Sequence, residues 1–167
     1  MSAEGPRTAI CPGSYDPVTN GHLDVISRTS NVFDKVVVGV VNNPVRKEKT
    51  LFTAEERKAF IEEATADLGN VEVGIMSNLL VEYARENGAT AIIKGLRAIS
   101  DFEYEFEMNQ LNRKLAPEIE SIYVIASPSY SFLSSTGVKE MAMFGGDVSD
   151  LVPPVVARAL AERAKRA

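Results

Sequence analysis

Five apolar runs of strand length, at residues 8–11, 35–41, 71–75, 91–93 and 121–126, alternate along the chain with segments of helical spacing. Two of them, Val36-Val37-Val38 and Ala91-Ile92-Ile93, are apolar on consecutive residues, as strands covered on both faces require. A Gly-rich turn, residues 13–22, follows the first run and opens an amphipathic helix. Together these observations predict an α/β fold, a Rossmann-like doubly wound parallel five-stranded sheet with helices on both faces.

Each helix has its own signal. In the first, Leu23, Ile26 and Phe33 make one buried stripe, which places His22 in the first turn. The second opens at Thr53 with Glu56 three residues on, a capping-box pattern, and Ser100 with Glu103 repeats it before the fourth. The third, about 79–87, stops at Gly88, which takes a left-handed end conformation at little cost. The fourth carries two apolar stripes, Phe102 with Phe106, and Tyr104 with Met108, Leu111 and Leu115. Two stripes predict burial on two sides, one of them against another subunit. Pro153 and Pro154 start a last helix, in which Arg163, Lys165 and Arg166 read as a solvated tail. No repeat, low-complexity tract or linker divides the chain, so residues 1–167 read as one domain.

Composition sets outer limits. With 45% hydrophobic and 25% charged residues, the chain has the material for a sizeable core. A formal net charge of -5 argues against the broad cationic surface that a nucleic-acid or membrane binder needs, so neither partner is expected. Any anionic ligand must therefore meet local positive charge. The single cysteine, Cys11, rules out an internal disulfide framework and reads as a core residue. The first residues are acidic with no long apolar segment behind them, and a cytoplasmic location is expected.

Four segments carry chemistry-bearing residues, and in a parallel sheet all four leave the carboxyl end of a strand, where open α/β folds place ligands. The first holds Gly13, Ser14, Tyr15, Gly21 and His22. A strand-to-helix turn aims backbone N–H groups and the positive end of the helix dipole at one small volume, which suits phosphate. Alone, His22 reads as a helix cap or a packing residue; beside these glycines it reads as a phosphate contact. The second segment holds Arg46, Lys47 and Lys49, a basic loop that is either a substrate clamp or solvated charge. Lys94 and Arg97 flank Gly95 and Leu96 directly after the fourth strand, two cations at the sheet rim, and arginine can grip phosphate bidentately. Glu105 stands on an acidic helix face, where it either meets a ribose hydroxyl or simply faces water. The last segment runs Tyr130, Ser131, Phe132, Leu133, Ser134, Ser135 and Thr136; three hydroxyls at a helix start exceed the one that capping needs. No protein-built metal site is visible. The first turn also lacks the G-x-G-x-x-G spacing of a dinucleotide-dependent oxidoreductase.

Over nearly its whole length the chain resembles the bacterial phosphopantetheine adenylyltransferases, of the nucleotidyltransferase superfamily with an H-x-G-H or T-x-G-H signature. The resemblance is carried by residues 12–17 with Thr19-Asn20-Gly21-His22, by 94–97 with 101–105, and by 130–135. Related cytidylyltransferases and nicotinamide mononucleotide adenylyltransferases usually keep histidine where Thr19 stands. What the resemblance implies is adenylyl transfer from ATP to 4'-phosphopantetheine, giving dephospho-CoA and pyrophosphate with Mg²⁺ carried mainly by the ATP phosphates, in a cytoplasmic homohexamer with coenzyme A as a feedback ligand. It further implies direct in-line attack, with His22 stabilising the transition state at the α-phosphate. Ser14, Tyr15, His22, Gly95, Leu96, Arg97, Glu105 and residues 130–136 would line the ATP site. Ser14, Lys94, Leu80 and a basic residue near Arg46 or Lys47 would meet the acceptor. Three departures stand out: Lys94 replaces a usual arginine, Thr136 a usual serine, and the loop 43–52 is about two residues longer, which leaves the acceptor cation open among Arg46, Lys47 and Lys49.

Overall fold

All five predicted strands form and all pair in parallel, in the order β3-β2-β1-β4-β5. The computed structural model describes residues 5–45 and 49–166, with side chains at all of these except Ile99 and Ser100. Along the chain run β1 (Thr8–Gly13), α1 (Asn20–Ser30), β2 (Lys35–Val41), α2 (Ala54–Ala64), β3 (Val71–Met76), α3 (Leu80–Glu86) and β4 (Ala91–Leu96). Then follow α4 (Ile99–Leu115), β5 (Glu120–Ile125), a single 3-10 turn (Pro128–Tyr130), α5 (Ser135–Met143) and α6 (Pro154–Ala164). Strand alternation splits the core. Ala9, Cys11, Val36, Val38, Val40 and Ile93 face one layer, shared with Ile26, Ile61, Val138 and Leu160 from α1, α2, α5 and α6. Ile10, Val37 and Ile92 face the other, under Val81, Tyr83 and Ala84 of α3. The consecutive valines of β2 are thus buried from both sides, as their run requires.

Local signals set most boundaries. Thr53 and Glu56 close their capping box, and Gly88 ends α3 with φ +65°. Three expectations are corrected. Phe33 lies beyond α1, in the connection to β2, so only the Leu23 and Ile26 part of its stripe is helical. The capping box expected at Ser100 gives way to an N-cap at Ala98, whose methyl side chain has no acceptor to cap with, and Asp101 in the first turn accepts from the Arg97 backbone N–H at 3.1 Å. Within one chain Tyr104 and Met108 of α4 are half-buried, whereas Phe102, Phe106, Leu111 and Leu115 are about half exposed, the stripe for which another subunit is expected. Arg163 is no solvated tail, since α6 packs back on α2 and lets it donate to Glu56 at 2.7 Å, over the Phe52 ring. Among the described residues no helix is long and apolar enough to cross a membrane.

The strand order reverses between β1 and β4, which are neighbours in the sheet but are followed by connections that run to opposite sides. A crevice opens at the carboxyl ends of strands at such a switch point.

Candidate functional site

The turn after β1 is built from backbone geometry upward. Tyr15 has φ +47°, left-handed for a residue with a β-carbon, at a cost of about 1–2 kcal/mol. Burial of its ring and a 2.9 Å bond from its hydroxyl to the Cys11 carbonyl offset that cost. The ring folds back onto Gly13, where an added Cβ would sit 3.0 Å from two ring carbons and press on the buried ring. Its edge also meets the His22 ring, with centroids 5.1 Å apart.

Thr19 caps α1, and His22 completes the capping box at the position Glu or Gln usually takes. The Thr19 backbone N–H donates to His22 Nδ1 at 3.0 Å. A backbone N–H can only donate, so Nδ1 holds a lone pair and the proton of the neutral ring is on Nε2. Both readings of His22 therefore hold in one side chain. It caps the helix through one nitrogen, and it lines the cavity at the strand ends.

That cavity measures about 500 Å³. Of the predicted residues, Ser14, Tyr15, His22, Lys94, Gly95, Arg97, Glu105, Tyr130, Leu133, Ser134, Ser135 and Thr136 line it. On its β4 side, Lys94 pairs with Glu105 at 3.5 Å, so this carboxylate balances a cation rather than merely facing water. Arg97 pairs with Asp101 at 3.2 Å and donates to the Leu133 carbonyl at 2.8 Å, which joins the β4 rim to the segment before α5. Ser134 caps α5 by accepting from the Gly137 N–H at 3.1 Å, and Ser135 donates to the Pro17 carbonyl at 2.8 Å. Two of the three hydroxyls thus have structural work, capping and tying α5 to the first turn.

Four predicted contacts fall outside the cavity wall. Leu96 ends β4 beside it without lining it. Ser131 is turned away by a bond from its hydroxyl to the Pro128 carbonyl, and Phe132 is 71% exposed to solvent. Leu80 starts α3 on the opposite face of the sheet, packed on the layer around Ile10 and Val37. Arg46 and Lys47 lie outside the described residues, and Lys49 is exposed.

Two residues that sequence reasoning passed over hold this edge together. Asp16 is 0% exposed and Arg57 1%. The Arg57 guanidinium donates to five backbone carbonyls, those of Ser14, Val41, Asn42, Phe52 and Thr53. Burial pulls its pKa down, against the field of Asp16, which raises it. A signal did exist, because Arg57 shares a helical stripe with Phe60, Ile61 and Ala64, and a charge on an apolar stripe marks a buried partner set. Asp16 gave no such signal inside a turn-forming Asp-Pro pair.

Neither the Cys11 thiol nor the Tyr15 phenol on the cavity wall is an activated nucleophile. Burial pushes the Cys11 thiol up to about 12, despite a hydrogen bond from Thr29 that lowers it. Burial likewise raises the Tyr15 hydroxyl well above its ordinary value.

A nucleotide-sized crevice at a switch point, ringed by helix N-termini and paired cations, defines an α/β nucleotide-binding class. The family model described as cytidylyltransferase-like matches residues 10–141, and the chain belongs to that family. Three curated relatives narrow the placement, each named phosphopantetheine adenylyltransferase. The one from Caldanaerobacter subterraneus subsp. tengcongensis is 52% identical over 96% of this chain and 99% of its own length. Those from Alkaliphilus metalliredigens and Rubrobacter xylanophilus are 50% identical over 94% and 99%, and 57% identical over 87% of each. Within the family the chain therefore stands with the phosphopantetheine adenylyltransferases. A crystal structure described as a nicotinate-nucleotide adenylyltransferase from Vibrio parahaemolyticus superposes with a TM-score of 0.71 over 97% of this chain and 96% of its own; at 19% identity it shows the shared fold.

Proposed function

We propose that the protein transfers the adenylyl group of ATP to 4'-phosphopantetheine, giving dephospho-CoA and pyrophosphate, the penultimate step of coenzyme A synthesis. The observation that carries this reading is the meeting of His22, Lys94 and Arg97 around one cavity, in a chain about half identical to the relatives that bear that enzyme's name. The acceptor phosphate attacks the α-phosphorus in line and pyrophosphate leaves, so the protein's part is to position two anions and stabilise the charge between them. His22 is suited to that part. With Nδ1 committed to Thr19, it offers Nε2–H as a donor to an α-phosphate oxygen rather than as a nucleophile or base. Arg97 and the N-terminus of α5 meet the remaining ATP phosphates, and Lys94 meets the acceptor.

Mg²⁺ enters this reading on the triphosphate. The cavity carboxylates are already matched, Asp101 to Arg97 and Glu105 to Lys94, and among the described residues no group of three candidate ligands forms a cage. When bound, the ion would neutralise phosphate charge. Coenzyme A shares the product's adenylate and pantetheine parts and would compete for the same cavity. We place the reaction in the cytoplasm, where Cys11 stays a free thiol. A homohexamer accounts for the exposed Phe102, Phe106, Leu111 and Leu115 of α4, and for the exposed Ile122 and Ile125 of the edge strand β5. Light scattering should give a mass near six times the 18.2 kDa chain.

The reaction is tested by mixing the protein with ATP, Mg²⁺ and 4'-phosphopantetheine and measuring pyrophosphate and dephospho-CoA in equal amounts. Silence with that pair, and pyrophosphate from CTP with glycerol phosphate instead, would overturn the reading.

A further inference from the structure

The cavity has two unlike sides, and strand alternation makes them. Lys94 points toward α4, where it meets Glu105, whereas its neighbour Gly95 faces α1, where an added Cβ would come 3.2 Å from Val25. The α4 side is therefore charged. The α1 side is walled by Gly21, Val25, Ala126 and Tyr130, which carry no charge. Of a nucleotide's parts, the phosphates suit the cations and the flat base suits the uncharged wall.

Two side chains of α1 grip the strand end that supplies Ala126. On one side of it Arg28 Nη1 donates to the Ile125 carbonyl at 2.8 Å; on the other the Ser127 hydroxyl donates to Asp24 Oδ2 at 2.7 Å. Asp24 Oδ2 also accepts from Arg28 at 3.3 Å, so one carboxylate serves both grips. The grips are not equally backed up. Up to Ala126 the chain is held by the sheet as well, since the Ala126 N–H donates to the Leu96 carbonyl at 2.8 Å. Between Ser127 and the next tie, Arg97 to the Leu133 carbonyl, the hydrogen bonds are internal: Tyr130 to Ser127, Ser131 to Pro128 and Leu133 to Tyr130. Among the described residues, Ser127 to Asp24 is thus the hydrogen bond that ties the start of this segment to α1. Tyr130 also rests on α1, where a Cβ added at Gly21 would lie 3.4 Å from its own, but such packing has no preferred direction and the bond has one.

We infer that Asp24 is a positioning residue for the nucleotide base: through Ser127 it sets how far the wall of Ala126 and Tyr130 stands from Gly21 and Val25. This rests on the functional reading above. Asp24 touches neither substrate in this role.

The test compares ATP with inorganic tripolyphosphate, a competitor that has the phosphates and no base. Asp24→Ala should raise the KM for ATP by about three- to tenfold, while the KM for 4'-phosphopantetheine and the inhibition constant of tripolyphosphate stay within about twofold. Ser127→Ala should do the same, and the double variant should be no worse than the worse single one, because the two residues act through one bond. Asp24→Asn, which keeps an oxygen for the Ser127 hydroxyl, should recover most of the loss. Where Asp24→Ala does not fold, Ser127→Ala carries the comparison. An unchanged ATP KM, an equal weakening of tripolyphosphate, or effects that add in the double variant would overturn the inference and leave Asp24 a stabilising residue only. A wild-type protein inactive with ATP and 4'-phosphopantetheine would overturn the functional reading instead, whereas an active wild type whose variants weaken ATP and tripolyphosphate alike overturns this inference alone.

Discussion

The turn after β1 and the rim after β4 face one cavity, yet they are held by different means. In the turn, functional groups are fixed by the backbone they stabilise: His22 caps its own helix, the Tyr15 ring is in the core, and Asp16 is buried under three donors. On the rim, Lys94 and Arg97 are partly exposed and each leans on a carboxylate one helical turn or more away in α4. The more exposed of the two pairs, Arg97 with Asp101, contributes about 0–1 kcal/mol, so a phosphate can compete for that cation at small cost. The turn is thus preorganised and the rim adjustable. A site that must place an α-phosphate accurately, yet admit and release two charged ligands, is served by both.

The largest effect should come from the turn. His22→Ala should lower kcat by about a hundredfold or more, the range of losing one donor to a developing oxyanion, while ATP still binds. It should also cost about 1 kcal/mol of stability, because the Thr19 N–H loses its capping partner. His22→Gln separates the two roles, since Gln at that position completes a capping box. It should melt like the wild type and still be slow. Equal activity in Gln and wild type would erase the distinction between turn and rim.

Next comes the rim. Arg97→Ala should raise the ATP KM and lower kcat by about tenfold each, because the side chain also anchors the Leu133 carbonyl. Asp101→Asn should do less, within about threefold, since it loosens Arg97 without removing it. If Asp101→Asn were as damaging as Arg97→Ala, the rim would be as rigid as the turn.

The smallest expected effect concerns acid. Burial alone would raise the Asp16 carboxyl, but the Leu51 and Phe52 amides and Lys139 outweigh it and hold its pKa below the ordinary value. A group depressed in the folded state stabilises above its unfolded pKa and loses that contribution as pH falls through its folded one. The stability gap between wild type and Asp16→Asn should therefore be constant above about pH 5 and shrink below about pH 4. Urea melts at several pH values would show it, and a gap independent of pH would contradict it.

This contrast also explains what could be read from the chain in advance. Strand runs, the Thr53 capping box, the Gly88 stop and the four loops at the strand ends were legible because each rests on local pattern. The positions of Lys94 and Arg97 followed from strand direction alone. Asp16 and Arg57 were not legible as a pair, because their meeting depends on segments some forty residues apart folding onto one edge. Arg163 misled for the same reason, its partner Glu56 being 107 residues away. The exposed stripes of α4 were legible as apolar, but one chain does not contain what covers them.

The claim that positioning and electrostatics suffice, without an enzyme-bound adenylate, is tested most directly by the configuration at phosphorus. With ATP made chiral at the α-phosphorus by sulfur substitution, a single in-line displacement gives product of inverted configuration. Retention would require two displacements through a covalent intermediate, and would contradict the part assigned here to His22.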